Sequence, residues 1–561
     1  MKKVLSLFLA VMMVMTLAVG CGRTTKTDSA PGNAAEASKA DDKKPITFSM
    51  YVCEVNPNAD GFESPVAKEI TKATGVKLDI EYAVSSDGGK QKLSLMAASG
   101  DYPDFVYGKG DLNIIKNANG IIKLDELIEK NAPNLKKFYG DSIKRIRWSK
   151  EDPSIYYVGG KELGQENMEP NAGFQLQHAA MKELGYPKMK TLKDFEAAIK
   201  AYKDKHPTID GQPSIGLSLL ADDWRFLITV SNPACFATGG SDDGEWFVDQ
   251  KSLSVMRHLL RPEEKEYFRW LNHMNAIGLL DPESFVQKYD QYKAKIATGR
   301  VIALADARWE FDEPVRALLK SGKEDRAYGF YPLTMDEKTK FADFMSTGYL
   351  GGWGIGITTK CKDPERAIRF FDWMCTEKAQ ILVHWGIEGE HYTVENGKRV
   401  MKPEIVKARD ADPQFIKKTG IGNYVYPFPT YGNTVKDSTG QFYEPFTTAE
   451  SIAARQTATE NEVLKALGVK TWKELYPQSQ DFAIKPYGAA WLVNIEDPEM
   501  KAIDQKILQT GYKMIPAAIL ASPDKFDEMY DKYVKAIKEA GVDKITAYVE
   551  KKVKDTAELW K

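Results

Sequence analysis

ITFSMYV at residues 46–52 alternates apolar and polar side chains and reads as a strand; the elements that follow it decide the fold. A helix is predicted from Pro65 to Ala73, ended by Gly75. Val76 to Val84 reads as a second strand, Lys90 to Ala98 as a second helix, and Asp104-Phe105-Val106-Tyr107 as a short third strand. The order β-α-β-α-β argues for a parallel sheet covered by helices. In such sheets ligands sit at the carboxyl ends of the strands, and Glu54, Asn56, Asp104 and Tyr107 are placed at or just beyond those ends.

Further along, Thr191-Leu192-Lys193-Asp194 has capping-box spacing before the helical repeat Phe195, Ala198, Ile199, Tyr202. Asp363-Pro364 offers an N-cap and a first-turn proline before Ala367, Phe370, Phe371 and Met374. Near the C-terminus, Phe526, Met529, Tyr530, Tyr533, Val534 and Ile537 form one stripe. Gly541 breaks it, and Val542, Ile545, Val549 and Val553 begin another.

Before the first strand the chain changes character. MKKVLSLFLAVMMVMTLAVGC at residues 1–21 has two lysines, a short apolar run and a small-residue end, the layout of a secretory signal too short to span a bilayer comfortably. Its last residues, Leu17-Ala18-Val19-Gly20-Cys21, resemble a bacterial lipobox, in which the cysteine thiol is acylated and becomes the new N-terminus. Gly22 to Lys44 holds no aromatic residue and no Ile, Leu, Val or Met, so it cannot offset its chain entropy by burial. It is expected to be a solvated tether, averaging roughly 25 Å end to end. The predicted location is the outer face of the cell membrane, held there by lipid alone.

The whole chain of 561 residues is 43% hydrophobic and 28% charged, with a net charge of −2. This is a globular composition, and nothing in it implies a nucleic acid or a strongly charged partner. Cys53, Cys235, Cys361 and Cys375 form neither a dense framework nor a CxxC pair; buried thiols are favoured, with disulfides left open.

Several motifs now fall into one order: Ala97-Ala98-Ser99-Gly100-Asp101-Tyr102-Pro103-Asp104, Gly120 to Ile128, Glu183-Leu184-Gly185-Tyr186-Pro187 before Thr191, Ile277-Gly278-Leu279-Leu280-Asp281-Pro282, Gly351 to Ile357, Lys362 to Glu365 and Gly386 to Gly389. Together they resemble the extracellular solute-binding proteins of ABC importers, specifically the large Gram-positive lipoproteins that handle oligosaccharides. The resemblance implies an α/β, two-lobed periplasmic-binding-protein-like fold (type 2) that is hinge-joined and has a helical C-terminus. Ligand would be held in the cleft between the lobes. It also implies an oligosaccharide ligand, ABC transporter permease subunits as partners, a monomer, no cofactor and no catalysis. The first crossing is placed near Tyr156 to Gly160 and the return near Gly348 to Gly352. The expected division is signal peptide 1–20, lipidated tether 21–44, first lobe 45–160 and 346–480, second lobe 161–345 and 481–561.

A sugar ring has an apolar face and a fringe of hydroxyls. A neutral binder therefore needs flat aromatic plates and planar polar side chains among apolar walls, with buried hydroxyls matched. Ala303-Leu304-Ala305-Asp306 ends a predicted strand, and Arg308, Glu310 and Asp306 interleave there with Trp309 and Phe311. Asp222-Asp223-Trp224-Arg225 is a second such mixture, and Tyr349 and Trp353 flank the return crossing. The expected ligand-binding set is therefore Trp309, Trp353, Trp224, Asp306, Arg308, Glu310, Glu54, Asp104, Tyr107, Tyr349 and Asp223, with Cys21 as the lipidation site. Any single tryptophan can equally be core packing, the role assigned to Trp270, Trp373 and Trp385.

Other constellations fail. Gly352-Trp353-Gly354-Ile355-Gly356 lacks the spacing and acidic partner of a dinucleotide loop, and there is no GxSxG, HExxH or Walker A motif. His384 and His391 lack zinc spacing. Some members of the resembled family carry a calcium loop after the helix beginning at Thr191; here His206 to Gln212 offers one carboxylate, too few for calcium, so no metal is expected. Asp242-Asp243-Gly244 before Trp246 reads as a hairpin turn. A secreted carbohydrate-active enzyme with two carboxylates, or a peptide binder on the same fold, are the alternatives.

Overall fold

The computed structural model describes residues 44–561 apart from 161 and 222. The signal peptide, Cys21, nearly all of the tether and Asp222 thus lie outside the described residues.

The first sheet forms as its alternation predicts. Strand β1 (Ile46–Val52) pairs in parallel with β2 (Val76–Tyr82) and with β3 (Phe105–Tyr107). The helix Pro65–Thr74 between β1 and β2 starts where the Ser64 side chain accepts from the Ala67 N–H. It stops at Gly75, whose φ of 71° is in the left-handed region and whose N–H donates to Thr71. The helix Ser86–Ser99 follows β2.

After a long excursion the chain builds a second sheet from β4 (Ala172–Gln177), β5 (Ile215–Ser218), β6 (Val301–Ala307) and β7 (Tyr328–Tyr331), in the order β7-β4-β6-β5. β6 is parallel to β5 and antiparallel to β4. All seven residues of β6 are buried, as in a strand covered on both faces. The helix Leu192–Lys205 carries the capping box of Thr191 and Asp194. The chain then returns, and β8 (Ile355–Ile357) closes the first sheet antiparallel to β3, giving β8-β3-β1-β2. Asp363 caps the helix Pro364–Met374.

Two apolar cores result. One gathers Phe48, Phe105 and Phe371 under the first sheet; the other gathers Phe174, Phe195, Tyr267 and Tyr533 around the second. The crossings lie side by side, because Val158 bridges Ile355 and the Gly352 N–H donates to Tyr157 Oη at 2.7 Å. Gly160 fits there only as glycine: its φ is 100°, and a Cβ would lie 1.6 Å from the Trp353 carbonyl oxygen.

The expected boundary at 480 is displaced. Tyr431 and Phe446 pack on the first core, but Val463, Leu464, Trp472 and Tyr476 belong to the second. The reason is the amphipathic helix Ala458–Leu467, whose Glu462 pairs with Lys182 at 2.8 Å and accepts from Tyr186 Oη. Three helices, Pro498–Leu520, Phe526–Ala540 and Val542–Leu559, complete the second core, the last two joined at Gly541 with φ 99°. Trp385 is buried, and Trp270 and Trp373 pack partly against the cores.

The turn assigned to Asp242-Asp243-Gly244 is instead an anchor. The strands Trp246–Val248 and Val255–Arg257 do pair, but they turn over after Asp249. The Asp243 carboxylate is buried. It accepts from Lys485 Nζ, Tyr487 Oη and Ser241 Oγ, each at 3.0 Å, and from the Ala490 N–H at 2.8 Å. A buried charge needs such partners, and they come from a segment remote in sequence.

Candidate functional site

The carboxyl end of the first sheet gathers one set of side chains. Glu54 follows β1, and Lys109 follows β3 with φ at 49°, an uncommon conformation for a lysine. Lys109 Nζ lies 2.6 Å from Glu54 Oε1 and 5.2 Å from the centre of the Trp353 ring. Trp353 in turn meets Trp491 at 4.9 Å between centroids. Tyr107 is wholly buried; its hydroxyl meets that of Tyr426, and the two rings pack edge to face at 5.5 Å. Burial, and then the nearby Glu54 carboxylate, raise the Tyr426 phenol above its usual range. Burial likewise pushes the neighbouring Cys53 thiol up to about 12, so it is inert as a nucleophile.

The carboxyl ends of β5 and β6 gather the other set. Trp224 and Trp309 lie nearly parallel, 11° apart with centroids separated by 5.8 Å, and are 46% and 49% exposed. Two half-exposed indoles beside one another are unusual, since rings of this size are mostly covered. Arg225 is spread over the Trp224 ring at 4.8 Å and the Tyr289 ring at 4.2 Å. Its Nε lies 3.2 Å from the Glu310 carboxylate and its Nη1 3.4 Å from Asp223. Glu310 is buried; burial raises its carboxyl, with Arg225 pulling the other way. Arg308 pairs with Glu169 and lies 3.4 Å from Asp312.

Four of the expected residues take other places. Asp104 precedes β3 and so sits at its amino end, buried, accepting from the Ser49 N–H and Oγ at 2.8 Å and from the Lys362 N–H at 3.0 Å. Its hydrogen bonds tie the strand to its neighbours. Tyr349 is buried in the crossing, donating to the Gly159 carbonyl at 3.0 Å. Asp306 is buried in β6, accepting from Tyr292 Oη and the Ala307 N–H at 2.6 Å, and burial pushes its carboxyl well up. Tyr107 supports Tyr426 rather than facing solvent. Brought together at the sheet ends are Glu54 and Trp353 on one side, and Asp223, Trp224, Arg308, Trp309 and Glu310 on the other.

Lys109, Tyr426 and Trp491 were missed, and Arg225 was quoted in its mixture but left out of the selected set. Lys109 and Arg225 each stand next to a selected residue or strand end and could have been found there. Tyr426 and Trp491 arrive from distant segments with no local signal.

A cavity of about 400 Å³ adjoins the first set at the seam between the two cores, lined by Lys109, Trp353, Tyr157, Arg145, Leu492 and Trp560 among others. Its volume suits a small ligand, although the tryptophan pair is not part of its wall. Among the described residues no group of three or more His, Cys, Asp or Glu could hold a metal. In the stretch His206 to Gln212, short strands pair Thr208–Ile209 with Gln212–Pro213, and the one carboxylate, Asp210, is paired with Lys323 at 2.8 Å.

Known proteins resemble the chain in sequence and in fold. Residues 56–381 match the family described as Bacterial extracellular solute-binding protein. The chain is 27% identical over 304 residues to the fructooligosaccharide ABC transporter substrate-binding protein FusA of Streptococcus pneumoniae serotype 4, a match covering 51% of this chain and 54% of that relative. It is 22% identical over 412 residues to the lipoprotein LipO of Bacillus subtilis, covering 71% of this chain and 74% of that one. Against the first of these relatives the chain spans about half the length. Among solved structures, an extracellular solute-binding protein from Bifidobacterium longum subsp. infantis aligns over 92% of this chain and 99% of its own, with a TM-score of 0.67 at 17% identity. The S. pneumoniae FusA structure in complex with kestose aligns over 91% and 99%, with a TM-score of 0.64 at 18% identity. These structural likenesses carry the two-lobed fold.

Proposed function

Because the chain belongs to the bacterial extracellular solute-binding proteins, we propose that it captures an oligosaccharide between its two lobes and passes it to the permease of an ABC importer. The observation that carries this reading is the pair Trp224 and Trp309: two parallel, half-exposed indoles at the ends of parallel strands, ringed by ion-paired polar groups. That combination offers an apolar plate to the C–H face of a sugar and hydrogen-bonding groups to its hydroxyls. The similarity to FusA, whose name specifies fructooligosaccharides, and the cavity beside Trp353 support the same class of ligand. The protein acts as a monomer without cofactor or catalysis, its mature chain beginning at Cys21 and held by lipid on the outer face of the membrane. The lipobox-like ending of the first 21 residues and the similarity to a lipoprotein support the anchor.

A thermal-shift screen of the purified protein across oligosaccharides, paired with product analysis, tests this. A ligand at 100 times its Kd stabilises the folded state by about 2.7 kcal/mol. Stabilisation with intact sugar supports a binder; cleavage would show an enzyme instead, and stabilisation by peptides alone would overturn the sugar reading.

A further inference from the structure

The wall of the seam cavity is basic. Lys109, Lys116, Arg145, Arg147, Lys150 and Lys552 stand on it, against the carboxylates of Glu151, Asp152, Glu496 and Asp555. All but one of these cations have a carboxylate partner: Lys109 meets Glu54 at 2.6 Å, Lys116 meets Asp152 at 3.2 Å, Arg147 meets Asp125 at 3.4 Å, Lys150 meets Glu558 at 2.7 Å and Lys552 meets Glu151 at 3.9 Å. Arg145 pairs with no carboxylate among the described residues; its partners are two carbonyls and a ring. Glu496 has no cation among the described residues either, but it is exposed and can stay turned to water.

Arg145 is held as an anion receptor needs to be. Its Nη1 donates to the carbonyls of Thr347 and Tyr349, at 2.7 and 2.5 Å, and one face of its guanidinium lies over the Trp560 ring at 4.9 Å. The returning crossing comes this close because it carries glycines. A Cβ on Gly348 would lie 2.8 Å from Arg145 Nη1, and one on Gly351 would lie 2.1 Å from the Arg145 carbonyl oxygen. These contacts use Nη1 and one face. Nε–H and Nη2–H meet no acceptor among the described residues, and together they form the fork that takes both oxygens of a carboxylate or other oxyanion. The two carbonyls are neutral, so they orient the cation and leave its charge unmatched. Burial disfavours that charge, yet a guanidinium stays protonated. A partly buried cation without a counter-ion is a costly state, and an anionic ligand removes it. Trp353, Leu492 and Trp560 on the same wall offer apolar surface to the C–H face of a sugar.

We propose that the seam cavity seats an anionic group of the ligand, bound side-on by Arg145, and that the oligosaccharide captured is therefore an acidic one. The proposal rests on the oligosaccharide reading above and names the ligand class within it. The group recognised is a carboxylate, sulfate or phosphate. A uronate ring supplies it on a sugar; citrate or inorganic phosphate supplies it free.

The test is isothermal titration of the purified protein with matched pairs that differ in charge alone. Oligogalacturonates, alginate oligomers and glucuronate-bearing xylo-oligosaccharides are each compared with their carboxyl-reduced counterparts, and citrate and inorganic phosphate are titrated by themselves. The best acidic chain should bind at least about tenfold more tightly than its reduced counterpart. Arg145→Gln, which keeps an amide donor for the two carbonyls, should cut that preference to within about twofold, and Arg145→Lys should keep part of it. Because Arg145 also braces the crossing, melting temperatures are measured for both, and Leu492→Glu is the second probe. It sets a carboxylate on the same wall while leaving the hydrogen bonds of Arg145 in place, and should lower the preference for the acidic chain by about tenfold. Equal binding of acidic and reduced chains would overturn the proposal and leave the sugar-binding function standing. A preference that survives both Arg145→Gln and Leu492→Glu would overturn the assignment to this cavity. Citrate or phosphate bound through Arg145, with no chain bound, would uphold the anion site and overturn the oligosaccharide reading. Binding by no probe would overturn both.

Discussion

Replacing Trp309 with alanine separates stacking from packing. A tryptophan carries up to about 250 Å² of surface. With 49% of Trp309 exposed, roughly 120 Å² stays open to a ligand. Covering all of it at about 25 cal/mol per Å² would contribute about 3 kcal/mol. A sugar ring covers only part, so Trp309→Ala should weaken oligosaccharide binding by about 2 kcal/mol, roughly 30-fold in Kd. In the unliganded protein the covered half of the side chain, its contact with Trp224 included, is lost as well, about 3 kcal/mol at the same coefficient. Trp472→Ala is the contrasting control. That ring is 4% exposed, stacks on His178 and donates to Glu460 at 2.5 Å, so its truncation should cost the unliganded protein about 3–5 kcal/mol. Denaturant titration of each variant without ligand, and calorimetric titration with the best oligosaccharide, give both quantities. A Trp309→Ala protein that loses several kcal/mol of stability while keeping its Kd within about twofold, a difference of about 0.4 kcal/mol, would refute the stacking argument.

Acid should destabilise the protein partly through His178. Burial against Trp472, and then the like charge of Lys182, depress its pKa to about 3, so below the unfolded value of about 6.5 the unfolded chain binds the extra proton. Stability from this residue is fully present above pH 6.5 and falls as pH drops, by about 2 kcal/mol at pH 5; His178→Gln should flatten that part of a melting-temperature profile. Asp243→Ala leaves Lys485 as a buried cation without its carboxylate and should cost about 3–5 kcal/mol in denaturant titration; a loss below about 1 kcal/mol would mean the pair is dispensable. Cys21→Ala should move the protein from the membrane fraction to the medium with its melting temperature unchanged, and persistent lipid labelling would contradict the anchor. Saturating oligosaccharide should reduce the radius of gyration in small-angle scattering, as lobe closure requires; an unchanged radius at saturation would count against closure, though not against binding.

What could be read in the sequence is what is decided locally. Alternation in 46–52 defined β1, Ser64-Pro65 and Gly75 set the limits of the following helix, and Thr191 with Asp194 formed the cap their spacing predicted. The motif order carried the family and, with it, the two lobes. Errors arose where polarity or long-range pairing decides. Asp104 was placed at the wrong end of a short strand, although chain direction alone makes the first residue of Asp104 to Tyr107 its amino end. Asp242 to Gly244 has the composition of a hairpin turn, and only the remote Lys485 and Tyr487 make Asp243 an anchor. The boundary at 480 failed because the packing of Val463 and Trp472 on the second core depends on which surface the helix Ala458–Leu467 finds. Tyr107, Asp306 and Tyr349 were chosen for residue type at a good position, and burial then turned each side chain inward.

The C-terminal helix links these pieces. Val549, Val553 and Ala557 belong to the second core, yet the far face of the same helix bonds the first lobe: Lys150 pairs with Glu558 at 2.7 Å, Lys144 Nζ donates to the Lys561 carbonyl at 2.8 Å, and Arg145 lies over Trp560 at 4.9 Å. The same Arg145 donates to the carbonyls of Thr347 and Tyr349 in the returning crossing, at 2.7 and 2.5 Å. One edge of the molecule is therefore fastened by the paired crossings, an arginine that grips one of them, and a helix rooted in the other core. A rotation that preserves these bonds has its axis along that edge and moves most the surfaces farthest from it. Few interactions need to be broken for the lobes to open again.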